Sequence, residues 1–151
     1  MITIDDFKNK ITKKSRLIGL DLGSKRIGIA ICDEHQSIAT PFKTIQKDNF
    51  DKFLSELKLI IKENNIEGII VGNPINMDGS SGPSAQSVKD VCSNILKKIN
   101  MPLCLWDERL STIAAFNLSS QLDIKVSKKI KNIDQNAAAF ILQGFLDYLK
   151  N

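Results

Sequence analysis

The chain has 151 residues, of which 42% are hydrophobic and 25% are charged, the proportions of an ordinary globular domain. A chain of this length can fold without disulfides or a structural metal, and no apolar run approaches the ~20 residues of a membrane span. The formal net charge of +4 is compatible with a polyanionic partner but is too small to indicate one.

Cysteine usage and the start of the chain point to a reducing compartment. The three cysteines, Cys32, Cys92 and Cys104, lie far apart without a CxxC pair, and the single histidine, His35, lies in a polar stretch. This pattern argues against a zinc site and predicts reduced core thiols. The polar N-terminus lacks the apolar core of a signal peptide. We therefore expect a cytoplasmic protein without a membrane partner.

The first third of the chain predicts an extension followed by three strands. Residues 1–16 are polar and weakly periodic, and are predicted to form an N-terminal extension, either a short helix or a mobile arm. Residues 17–151 are predicted to form a single domain. Three apolar runs with short turns between them lie at 17–22, 26–32 and 37–45. Turns this short predict an antiparallel meander, and Pro41 favours an edge position for the third strand.

The hydrophobic pattern then changes to a helical period. Apolar residues over 50–61 recur at spacings of three and four, and predict an amphipathic helix that Asp48 or Asn49 can cap. The remaining predicted elements are strands at 68–72 and 102–106, helices at 83–99, at 112–122 and from about Asp134, and a lysine-rich loop before the last helix. Pro83 suits the first turn of its helix.

This order of elements predicts an α/β fold. Three strands, then helix, strand, helix, strand and helix, give a mixed five-stranded sheet with an antiparallel three-strand meander and two parallel strands. Such a sheet is covered by helices on both faces, and its crossover connections are right-handed.

Acidic residues occupy the ends of two predicted strands and the start of the last helix. Asp21 lies near the end of the first strand, Asp107 and Glu108 end the fifth, and Asp134 opens the helix. Function in open α/β sheets gathers beyond the carboxyl ends of parallel strands. Grouped carboxylates repel one another, and a hard divalent cation such as Mg²⁺ relieves that repulsion. Two such ions ~3.5–4 Å apart can promote hydrolysis of a phosphodiester.

Each acid also has an ordinary structural interpretation. Asp21 can bond to the turn at 23–25, because Asp favours such turns. Asp134 can cap a helix without excluding catalysis. Residues 107–109 can form a solvated strand end with a local ion pair, and the lysines over 125–131 are more typical of a solvated face than of a phosphate site. The residues alone leave these alternatives open.

Four blocks of sequence, taken together and in order, resemble the YqgF family of the RNase H-like superfamily. They are "GLDLGSKRIGIAICD" (19–33), "IIVGNPINMDGSSGPSAQSV" (69–88), "DERLSTIAA" (107–115) and "DQNAAAFILQGFLD" (134–147). Members of that family are assigned to Holliday-junction resolution and to pre-16S rRNA processing. The resemblance covers residue 17 to the end, and implies an RNase H-like fold and a metal-dependent nuclease, a hydrolase acting on ester bonds.

The resemblance assigns site residues by matching positions. It implies that Asp21, Glu108 and Asp134 are catalytic and hold Mg²⁺ or Mn²⁺, and it implies no organic cofactor. Asp107 is a neighbour that strand alternation directs to the opposite face. The residues that we predict to contact substrate are Lys25, Arg26, Asn73, Asn76, Gly79 and Arg109.

The chain departs from the family pattern at two of these blocks. Asn73 stands where leucine is usual, and Ser111 stands where threonine is common, but neither change removes a carboxylate. Many RNase H-like nucleases carry an acid at the end of strand four, where this chain has Gly72-Asn73-Pro74. Glu108 must therefore supply a ligand from a different direction.

The leading functional hypothesis is a metal-dependent nuclease of structured nucleic acid, foremost at the 5′ end of pre-16S rRNA and with ribosome association. The alternative is a Holliday-junction resolvase acting on branched DNA in recombination and repair, which would require a symmetric dimer; the sequence leaves monomer and homodimer open. Two other classes are a non-catalytic nucleic-acid or ribosome-associated binder and an actin-like nucleotide-binding module. Actin-like proteins carry two copies of the domain, and this chain carries one.

Overall fold

Five strands and four helices make up the part of the chain that the computed structural model describes. That part is residues 1–75, 78–107 and 133–150, with side chains described from residue 136 in the last segment. The elements are α1 (Ile4–Lys10), β1 (Arg16–Leu22), β2 (Arg26–Cys32), β3 (Ala39–Gln46), α2 (Phe50–Glu63), β4 (Ile66–Asn73), α3 (Pro83–Lys98), β5 (Leu103–Asp107) and α4 (Ile133–Leu149). None of the helices in these segments is long and apolar enough to cross a bilayer. The helix predicted at 112–122 lies outside the described residues.

The strands form one sheet in the order β3-β2-β1-β4-β5. The pairs β1–β2 and β2–β3 are antiparallel, whereas β1–β4 and β4–β5 are parallel. This confirms the predicted mixed sheet with its three-strand meander. β1 is the central strand, and β3, which contains Pro41, is at an edge where a missing N–H donor is tolerated.

Alternating side chains give the sheet two buried faces. The α3 face is covered by α2 and α3, and its strand residues include Ile18, Leu20, Ile29, Ile69, Val71 and Leu103. The α4 face is covered by α1 and α4, and its strand residues include Leu17, Ala30, Ile70, Cys104 and Trp106. Because both faces are buried, the strands read as continuous apolar runs, and a polar residue within them is conspicuous.

Local signals at two helix starts behave as predicted. The side chain of Asn49 accepts a hydrogen bond from the N–H of Lys52 at 3.0 Å, so Asn49 caps α2. Pro83 occupies the first turn of α3, where its missing N–H removes no helical hydrogen bond.

The N-terminal residues pack on the α4 face. Residues 4–10 form the helix α1, and the N–H of Ile2 donates to the carbonyl oxygen of Leu103 at 3.1 Å. Phe7 is completely buried and makes an edge-to-face contact with Phe145, with ring centroids 5.4 Å apart. A methyl group added at Gly68 would lie 2.5 Å from the Phe7 ring, so this glycine provides the space for the ring.

All three cysteines are free and buried, as predicted. Burial raises the pKa of Cys92 to about 12 and that of Cys104 to about 11, and it also raises the pKa of Cys32. A thiol that stays protonated at neutral pH is a poor nucleophile and metal ligand, so these residues act as core side chains.

Replacement of Phe7 tests whether residues 1–16 stabilise the domain. Phe7→Ala should lower the free energy of unfolding by about 3–5 kcal/mol, because the substitution leaves a cavity between α1, Gly68 and Phe145. The measurement is urea denaturation, with Asn9→Ala on the exposed side of α1 as the matched control. If Phe7→Ala is as stable as this control, α1 is not part of the folded core.

Candidate active site

The three parallel strands, β1, β4 and β5, have their carboxyl ends along one side of the sheet, called here the carboxyl edge. Asp21 lies there. Asp21 is the next-to-last residue of β1 and is half-buried. Its main-chain carbonyl accepts a hydrogen bond from the N–H of Gly23 at 3.1 Å, which starts the turn into β2. That turn requires glycine, because a methyl group at Gly23 would lie 2.6 Å from the carbonyl oxygen of Arg26.

Asp21 has glycine neighbours on both sides in the sheet. It pairs with Gly28 of β2, and the register of β1 with β4, continued by one residue, places it beside Gly72. Gly72 pairs in turn with Trp106 of β5. Strand alternation directs Asp21 to the α4 face, together with Trp106. The two glycines carry no side chains, so the neighbouring strand positions place no side chain beside the carboxylate.

Helix α4 runs opposite to β1 and brings its first turn toward this edge. Midway along β1, Gly19 lies against Leu142, because an added methyl group would be 2.8 Å from Leu142 Cβ. Gln143 accepts a hydrogen bond from the N–H of Ala39, which lies level with the start of β1, and Lys150, just after the helix, donates to the Ser37 hydroxyl before β3. The opposite end of α4, which contains Asp134, therefore lies toward the carboxyl ends of the strands.

Asn73 and Asp107 lie at the same edge but on the other face. They are partners in the β4–β5 register, and alternation places them on the α3 face. The Asn73 Oδ1 atom is buried and has no hydrogen-bond partner among the residues that the structure describes. Leaving such an acceptor unsatisfied costs about 1–3 kcal/mol, so this oxygen is available to a hydrogen-bond donor on the α3 face.

Several predicted site residues cannot be placed. Glu108, Arg109 and Asn76 lie outside the described residues, and the side chain of Asp134 is likewise not described. Within the described segments no three His, Cys, Asp or Glu side chains gather into a group that could hold a metal. Of the three predicted ligands, the structure thus describes only Asp21 in full. Gly79 has φ = 90°, a conformation that favours glycine and gives this residue a structural role in its loop.

Basic residues line the same edge beside Asp21. Lys25 lies in the turn after β1 and Arg26 is the first residue of β2, and both are exposed. The N–H of Lys47 donates to the carbonyl oxygen of Lys25 at 3.0 Å, which brings a third cation to this turn. Three cations from two segments give this corner the charge that attracts a phosphate backbone.

Sequence reasoning missed several residues that share a cleft with Asp21. The cleft has a volume of about 260 Å³, and its lining includes Lys47, Ser84 and Ser87. Nothing in the local sequence distinguishes Lys47 from other lysines. The two serines did carry a signal, because they continue the stripe of Val88 and Val91 along one face of α3 and lie within a block that matches the family.

A β1-centred mixed sheet with helices on both faces, and an acid at the carboxyl end of its central strand, is the architecture of the RNase H-like class of proteins. Comparison with known proteins specifies the family. The chain belongs to the RuvX family, the family also called YqgF, whose profile is described as Holliday junction resolvase and matches residues 15–148. This membership establishes a hydrolase that acts on ester bonds of nucleic acid, and nucleases of this class in general depend on a divalent metal.

Two bacterial relatives cover nearly the whole chain. A protein of Pelagibacter ubique (strain HTCC1062) is 72% identical over 151 residues, covering 100% of both chains. A protein of Rhodobacter capsulatus is 42% identical over 146 residues, covering 97% of this chain and 92% of its own. Both bear the name "Putative pre-16S rRNA nuclease".

Solved structures confirm the fold at low sequence identity. RuvC of T. thermophilus in complex with a Holliday junction substrate superposes with a TM-score of 0.57 and 10% identity, covering 89% of this chain and 96% of RuvC. The fowlpox virus Holliday junction resolvase gives a TM-score of 0.50 and 16% identity, covering 89% and 98%. The predicted RNase H-like fold is therefore confirmed.

Replacement of Gly19 tests the contact that positions α4. Gly19→Ala should lower the free energy of unfolding by about 1–3 kcal/mol, because its methyl group would overlap Leu142 Cβ and force α4 away from β1. Urea denaturation measures this loss. Nuclease activity should fall by a larger factor than the folded fraction of the variant, because displacement of α4 moves the predicted ligand Asp134. A variant with wild-type stability would contradict the close packing of β1 against α4.

Proposed function

We propose that this nuclease processes the 5′ end of pre-16S rRNA and that Asp21, Glu108 and Asp134 hold its Mg²⁺ or Mn²⁺. The observation that carries the proposal is the position of Asp21, at the carboxyl end of the central strand, between two glycines and on the face of α4. The choice of rRNA rests on full-length similarity to the Pelagibacter protein of that name.

The described residues at this edge are compatible with a hard divalent cation. Carboxylate oxygens are donors that Mg²⁺ and Mn²⁺ prefer, and Asp21 presents a half-buried carboxylate at this edge. Gly28 and Gly72 place no side chain beside Asp21 in the sheet, and the buried cysteines offer no competing soft ligand. A bound divalent cation would supply activation of water and stabilisation of the charge on the leaving oxygen.

The chain's own residues would orient the nucleic acid. Lys25, Arg26 and Lys47 would contact backbone phosphates at the corner next to Asp21, and an arginine can do so through two parallel hydrogen bonds. Arg109, Asn76 and Gly79 keep their predicted roles in substrate contact, and Asn73 would act from the α3 face. Pairing of β1 on both sides would hold Asp21 rigid while the substrate binds.

Removal of the Asp21 charge is the direct test of this site. Asp21→Asn should slow cleavage of a labelled pre-16S rRNA 5′ fragment by at least about 100-fold, which corresponds to about 2.7 kcal/mol of transition-state stabilisation. Wild-type cleavage should require Mg²⁺ or Mn²⁺ and stop in EDTA. The matched control is Asp51→Asn at an exposed position of α2. Metal-dependent cleavage that survives Asp21→Asn would refute the site.

Trp106 offers a test that does not depend on activity. It is the only tryptophan and lies in the same row as Asp21, two strands away, or about 10 Å. Tb³⁺, a hard cation with oxygen ligands, should therefore show luminescence sensitised by Trp106 when it binds at Asp21. Asp21→Asn should abolish most of this signal and Asp51→Asn should not. An unchanged Tb³⁺ titration in Asp21→Asn would place the metal elsewhere.

Holliday-junction resolution is the second candidate, and the description of the family profile favours it. A four-way DNA junction tested beside the rRNA fragment separates the two, because symmetric junction cleavage calls for a homodimer, whereas a monomer suffices to trim one RNA end. Preference for the fragment, and co-sedimentation with ribosomal particles in cytoplasmic extracts, would support rRNA processing. Paired nicks in the junction would support resolution.

A further inference from the structure

The cleft next to Asp21 has two chemically different parts. Its volume is about 260 Å³, and it opens between the turn after β1 and one face of α3. Val88, Val91 and Pro74 give it apolar walls, whereas Ser84 and Ser87 give it a hydroxyl-lined rim on α3. These five residues lie between the end of β4 and the middle of α3. Lys47, just after β3, also lines the cleft.

The polar groups of this rim have no partners among the described residues. Lys47 is half-buried, and its ammonium group makes neither an ion pair nor a hydrogen bond with any of them. The hydroxyls of Ser84 and Ser87 likewise bond to no side chain or carbonyl in the described segments. A cation and two hydroxyls at the entrance of an apolar cleft match the phosphate and base of a nucleotide.

The size of the cleft limits what it can hold. Small-molecule sites usually measure about 300–1,000 Å³, so a cleft just below this range takes one nucleotide rather than a longer segment. A base in a duplex is stacked on both sides and cannot enter such a cleft unless it is unpaired or extruded. A single unpaired nucleotide therefore fits the cleft, whereas a stacked duplex does not.

The position of the cleft relates it to the proposed cleavage site. Asp21 borders the cleft, but strand alternation directs its carboxylate to the α4 face, whereas Val88 and Cys92 of α3 pack on the α3 face. One strand of nucleic acid crossing the carboxyl edge of the sheet could thus contact both. We propose that this cleft binds an unpaired nucleotide adjacent to the bond that is cleaved, so that the enzyme selects strands with an unpaired base; this inference rests on the proposed nuclease site at Asp21.

Binding of bulged hairpins in EDTA tests the cleft without cleavage. The probes are an RNA hairpin with one bulged nucleotide, the same hairpin with an abasic bulge, and the DNA versions of both. By fluorescence anisotropy, the wild type should bind the bulged hairpin at least about tenfold more tightly than the abasic one, a loss comparable to that of one base-stacking contact. A preference in either nucleic acid supports the proposal, and its absence from both overturns it.

Two pairs of variants assign the preference to the cleft. Ser87→Trp would block the cleft from an exposed position and should remove the preference, whereas Ser93→Trp on another exposed part of α3 should retain it. Lys47→Ala should reduce the slope of log affinity against log salt concentration by about 1, the value for one lost phosphate contact. Lys58→Ala on α2 should leave this slope unchanged. If Ser87→Trp keeps the full preference, the nucleotide does not bind in this cleft.

Cleavage of the same hairpins with Mg²⁺ or Mn²⁺ separates this inference from the proposed function. A binding preference without any cleavage would support the cleft and count against the nuclease site. Cleavage that does not distinguish the bulged from the abasic hairpin would support the nuclease site and overturn the cleft.

Discussion

Close contact between β1 and α4 is the constraint on which the candidate site depends. At Gly19 no side chain separates the strand from Leu142, and even a methyl group would be too close. The contact sets the distance between the first turn of α4 and Asp21, which is two residues further along the strand. Packed interiors transmit small displacements, so a residue without a side chain determines how closely α4 approaches the strand that carries Asp21.

Much of the fold could be predicted because the burial of each strand and helix leaves a pattern of apolar residues in the local sequence. β2 covers the predicted run 26–32 residue for residue, because every side chain from Ile27 to Cys32 enters one of two buried faces. The packing of residues 1–16 could not be read in the same way. Only Phe7 in α1 is buried, so the segment has weak periodicity, and the residues that enclose Phe7, including Gly68 and Phe145, are distant in sequence.

Some residues of the candidate site could likewise be predicted from the sequence, and others could not. Asp21 could be singled out from the sequence because a carboxylate is costly to bury in an apolar strand and is rarely found there without a binding partner. Lys47 and Ser87 are ordinary polar residues, and their relation to Asp21 arises only when the end of β3 and the face of α3 meet at one cleft. The metal-ligand roles of Glu108 and Asp134 rest on the family resemblance and stay predictions.

The central place of β1 also determines how the site behaves when the protein opens locally. This strand has a neighbour on each side and helices on both faces, so its amides exchange with solvent only when most of the sheet separates. β3 is an edge strand of the sheet and can open at a lower free energy. Asp21 is thus attached to a strand that opens only with most of the sheet, and its position persists when an edge strand opens.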